Sequence, residues 1–183
     1  MALTFPSLAH LALLGPSEVE ATVEQARSAP STAPNNWWEG VRSLAVGRYQ
    51  TTDTLAGVRV LWGRVAIAAI HGKRDSLNLE PLVWGAEEAN VRSYLIRYLG
   101  PDSSDSMLDP DALCGEMLGM IDALPAEVER SVDEWKTRDR GAILRMRRIK
   151  NLLTPLMAVR EHVGDRGLRE RLDEWASLVP RLP

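Results

Sequence analysis

A chain of 183 residues, 45% hydrophobic and 26% charged, is too apolar to be largely disordered and long enough to close a core without a disulfide or a metal. Its formal charge of −3 gives no bulk attraction to nucleic acid. A single cysteine, Cys114, excludes an internal disulfide framework and any cysteine-built zinc or iron–sulfur site.

The segment Ser7 to Leu14 is short and almost wholly apolar, and Gly15-Pro16 ends it. It reads as a docking helix over 7–14, tucked into its own fold or laid on a second subunit. Ser17 and Glu20 have the spacing of a capping box and predict a helix to about Ser28. Residues 30–36 (PSTAPNN) form a loop. Asn36 is placed to cap a helix from Trp37 that carries Val41, Leu44 and Ala45 on one stripe. Over 54–71, Leu55, Val58, Trp62, Val65 and Ala69 keep spacings of three and four, which marks a central helix stopped by Gly72.

Pro81 opens a helix through Leu99 with Trp84, Val91, Leu95 and Tyr98 inward. The loop 102–109 is acidic. Asp109 then caps a helix opened by Pro110, and Pro125 opens another carrying Val128, Val132 and Trp135. The longest apolar face runs from Gly141 to Val163, where Pro155 removes one backbone hydrogen bond and predicts a bend. Leu168, Leu172, Trp175 and Val179 form the last stripe. Strand alternation and hairpin turns are weak, so the expectation is an all-α, compact multi-helix bundle of seven to eight helices with short loops, in one domain over 1–183.

The chain offers little machinery for chemistry. His10, His71 and His162 fall in different segments, and no Glu-x-x-His occurs, so no metal site is expected. No nucleophile elbow, phosphate loop or dinucleotide fingerprint is present, which leaves no catalytic residue and no cofactor to nominate. The most apolar stretch, Val58 to Ile70, contains Arg59 and Arg64 and is too short to span a bilayer. The start has no basic residue ahead of its apolar run, so no secretory signal is expected and a cytoplasmic location is the default.

Charge patterning says more. From Asp102 to Glu134 ten acids face one base, whereas from Trp135 to Lys150 seven bases face one acid. On a helix, Arg140, Arg147, Arg148 and Lys150 spread over the side away from Met146 and Ile149, with Arg145 nearby. Such a face is either a wet surface neutralised by the neighbouring acids or a contact for backbone phosphates. No aromatic residue interleaves with these arginines in the sequence, which counts against single-strand stacking. Six tryptophans against one phenylalanine suggest bulky core fillers, yet Trp37 and Trp38 point about 100° apart on a helix, so one of them is a candidate partner anchor. The sequence therefore leads to a non-catalytic protein–protein interaction or assembly subunit, with a protein partner or a second copy of the chain. The alternative is a small nucleic-acid-binding subunit that uses Arg140, Arg145, Arg147, Arg148 and Lys150 on phosphate.

Overall fold

The computed structural model describes residues 5–29, 32–33, 36–123 and 140–178. Among them are eight α-helices and no strand, the all-α multi-helix bundle expected. The expected helix from Pro125, with Val128, Val132 and Trp135, lies outside the described residues. So do Val179 and most of loop 30–36. The packing divides the chain into two compact units, residues 1–80 and 81–183.

The first unit holds α1 (Leu8–Leu11), α2 (Pro16–Arg27), α3 (Trp37–Tyr49) and α4 (Ala56–Leu77). Helix α2 starts two residues earlier than the Ser17 capping box predicts. Gly15 is its N-cap, Pro16 takes the first turn, and the Glu18 carboxylate accepts from the Gly15 N–H at 2.9 Å. Gly72 does not stop α4. The helix continues to Leu77 and ends at Asn78, whose φ of 50° is the left-handed cap. Gly72 instead makes room for a ring: a Cβ there would overlap the six-membered ring of Trp38. A close approach between α3 and α4 explains this glycine, and sequence punctuation does not.

The second unit holds α5 (Pro81–Leu99), α6 (Pro110–Asp122), α7 (Arg140–Met157) and α8 (Arg166–Leu178). Its core gathers Ile96 from α5, Met117 and Ile121 from α6, Ile149 and Leu152 from α7 and Leu172 from α8. Helix α5 begins at Pro81 and ends before Gly100 as expected, but Tyr98 is exposed and the buried face includes Glu88 and Arg92. Arg92 is only 4% exposed and donates to the Glu116 carboxylate at 2.8 Å and to the Ser106 carbonyl at 2.7 Å, tying α5 to α6 and to the loop before it.

Asp109 caps α6 by accepting from the Asp111 and Ala112 N–H groups. Helix α7 passes through buried Pro155 and ends at Met157, short of the expected Val163, with a 3₁₀ turn at Arg160–His162. Proline has no N–H to give the Asn151 carbonyl, and the chain turns within one further turn, where Val159 N–H donates to the Leu156 carbonyl at 3.1 Å.

Candidate functional site

Both tryptophans nominated as partner anchors are buried in their own unit, Trp37 at 5% and Trp38 at 1% exposure. Trp37 donates its indole N–H to the Pro6 carbonyl at 2.9 Å, and the Phe5 ring meets it edge-on at 5.2 Å. Trp38 uses the gap left by Gly72. The two rings stand 81° apart, so each turns to a different neighbour, α1 and its leader for one, α4 for the other. That wide apolar face was the condition for burying both, and the short N-terminal helix supplies half of it. Leu11 is fully buried, and Leu8 occupies the space a side chain at Gly40 would need. The nominated docking helix thus docks on its own unit, although Leu13 stays 84% exposed.

The basic residues nominated on α7 separate into two groups. Arg140, Arg147 and Lys150 are exposed, while Met146 and Ile149 on the far side are buried. Arg145 and Arg148 are half-buried. Positions 140, 144, 147 and 151 follow spacings of four, three and four, so Arg140, Leu144, Arg147 and Asn151 form one exposed stripe. Leu144 is 52% exposed in the middle of it.

The acids that precede this helix in sequence are used elsewhere. Asp102 accepts from the N–H and hydroxyl of Ser104, which hold its carboxyl below the usual range. Asp105 accepts from the Met107 N–H and Asp109 caps α6. Asp111 accepts from the backbone N–H groups of Gly164 and Asp165, Glu116 pairs with Arg92, and Asp122 pairs with Arg171. Among the described residues no ion pair reaches Arg140, Arg147 or Lys150. The remaining acids, Glu127, Glu129, Asp133 and Glu134, lie outside the described residues.

A cleft of about 410 Å³ opens between α5 and α7, and Asn151 of the exposed stripe is part of its lining. Leu82, Val83 and Ala86 supply its apolar part, Glu87 and Asn90 line it from α5, and Arg148, Asn151 and Thr154 line it from α7. Asn90 spends one amide donor on the Ala86 carbonyl at 2.8 Å, and the Thr154 hydroxyl donates to the Lys150 carbonyl at 2.8 Å. Sequence reasoning missed this site. Its signal was faint: polar residues spaced by three on two helices, 87 and 90 on one, 148, 151 and 154 on the other.

Among the described residues no group of three or more His, Cys, Asp or Glu side chains is placed to hold a metal ion. Cys114 is buried, and burial pushes its thiol up to about 12, with nearby Asp111 adding to the effect. No helix in the described residues is long and apolar enough to cross a membrane. No family model, no curated protein and no solved structure matches the chain, so the geometry of α7 and its cleft carries the functional reading by itself.

Proposed function

We propose that the chain is a non-catalytic protein–protein interaction subunit that docks an acidic partner segment on the exposed face of α7. One observation supports the reading above the others: Arg140, Arg147 and Lys150 stand exposed around half-exposed Leu144, with no described acid paired to them. Exposed charge pairs contribute only about 0.2–1 kcal/mol each, so the cations steer and orient a partner while burial of Leu144 supplies affinity. A leucine amid cations suits a protein surface with an apolar residue among carboxylates better than a bare phosphate chain.

The same cations favour a second reading, contact with nucleic-acid phosphates without sequence readout. Fluorescence anisotropy separates the two, using a helical peptide with glutamates around a leucine stripe and a mixed-sequence oligonucleotide as probes. The first reading expects the peptide to bind at low salt and to lose affinity severalfold in Leu144→Ser as well as in Arg147→Glu. An oligonucleotide that binds more tightly, with a steep salt slope and indifference to Leu144→Ser, transfers the face to the phosphate reading. If neither probe binds at low ionic strength, both readings fall.

A further inference from the structure

Helix α4, at 22 residues the longest of the described helices, begins with an open end. Its capping position is held by Leu55, whose side chain accepts no hydrogen bond, and no acid stands in its first turn. No described group accepts from the N–H of Ala56, Gly57 or Val58. A Cβ at Gly57 would meet nothing within 4 Å, so the backbone there is bare to solvent. Free N–H groups at the positive end of a helix are suited to an anion.

A buried cation in the same turn points the same way. Arg59 is only 6% exposed, its Nε donates to the Tyr49 carbonyl at 2.7 Å, and its Nη2 has no hydrogen-bond partner. Tyr49 is the last residue of α3, and carbonyls at a helix C-terminus point out of the helix end. The guanidinium therefore lies in the turn between α3 and α4, the side to which the free N–H groups of α4 also point. A buried donor left unmet is costly, and an anion in the turn would meet it. Asp53, the only acid between residues 40 and 74, is exposed and pairs with no described residue.

We propose that the α3–α4 turn binds a phosphate group, free or carried on a small molecule, held by the N–H groups of Ala56, Gly57 and Val58 and by the Arg59 guanidinium. Donors from a helix end and from a side chain approach from different directions, which suits the three oxygens of a tetrahedral phosphate better than the two of a planar carboxylate. The site uses no residue of α7 and stands apart from the docking reading.

Titration of the full chain with inorganic phosphate, followed by amide NMR, tests the proposal. Half-saturation falls below about 1 mM, and the shifts centre on the amides of residues 56–58 and on the Arg59 guanidinium. Acetate at the same ionic strength binds at least about tenfold more weakly. Phenyl phosphate separates the two sources: it binds more tightly than the free ion if an apolar body rests on Leu55, which is 79% exposed, and equally if the free ion is the ligand. Gly57→Asp puts a carboxylate into the first turn. It raises the melting temperature while weakening phosphate about tenfold, a pair of readouts that loss of fold would not give. Asp53→Asn removes a like charge and tightens binding severalfold. The proposal is overturned if phosphate does not saturate below about 1 mM, if its shifts centre elsewhere in the chain, if acetate binds as tightly, or if Gly57→Asp leaves the affinity unchanged.

Discussion

The two units solve the same packing problem with different materials. In the first, large side chains lie against glycines, Trp38 on Gly72 and Leu8 over Gly40, and surface cations are tied down locally. Lys73 on α4 donates to Glu39 on α3 at 3.0 Å, Glu39 also pairs with Arg42, and Arg48 donates to the Ala12 carbonyl at 2.8 Å. In the second, carboxylates do the joining: Asp111 holds the turn before α8, Asp109 caps α6, and Glu116 takes buried Arg92. Because the described acids ahead of α7 serve as internal ties, Arg140, Arg147 and Lys150 are left exposed with no described acid paired to them. Sequence-level neutrality therefore does not translate into local neutrality; hydrogen-bonding demand decides where each acid goes.

The largest effect that would break this comparison is in the first unit. Trp38→Ala leaves a ring-sized cavity and lowers stability by about 3–5 kcal/mol in urea unfolding, the opposite of what an exposed anchor would do. Arg92→Ala comes next, since it removes the buried donor shared by the Glu116 carboxylate and the Ser106 carbonyl, and it lowers stability by about 3 kcal/mol in the same measurement. Gly72→Ala destabilises by about 1–3 kcal/mol although alanine is the better helix former, because the added methyl overlaps Trp38.

A smaller effect sharpens the contrast in charge. Hydrogen bonding from Arg42, with further help from Lys73, outweighs burial and lowers the Glu39 carboxyl from 4.5 to about 2. A depressed carboxyl contributes stability that is fully present above pH 4.5 and is lost as pH falls through about 2. A pH titration of the unfolding midpoint shows this loss in the wild type and a reduced loss in Glu39→Gln. Smallest of all, Arg147→Ala leaves the midpoint within about 0.5 kcal/mol while weakening peptide docking, because an exposed side chain contributes to contact and little to folding.

Helix type and most helix starts were legible in residues. Pro81 and Asp109-Pro110 open helices where local chemistry says they should, because capping is satisfied within four residues of chain. Gly72 was misread because a glycine's local preference is to end a helix, while its tertiary use is to admit a ring from position 38. Glu88 and Arg92 were invisible as interior residues, since their burial depends on Glu116 and Ser106, which meet them only after packing.

The candidate site divides in the same way. That Arg140, Arg147 and Lys150 lie away from Met146 and Ile149 follows from the helical period alone. Whether the preceding acids would cover them did not, and neither did the cleft that gathers Arg148 and Asn151 with Glu87 and Asn90.

By itself, the amino-acid order determined an all-α chain and the exposed basic stripe of α7, because helical periodicity and end-capping act within a few residues. Tertiary structure alone decided that Trp37 and Trp38 face inward, that the described acids serve as ties and caps, and that a polar cleft opens beside α7. Each of those outcomes depends on groups far apart in sequence meeting in space, where sterics and hydrogen-bond satisfaction choose the partner.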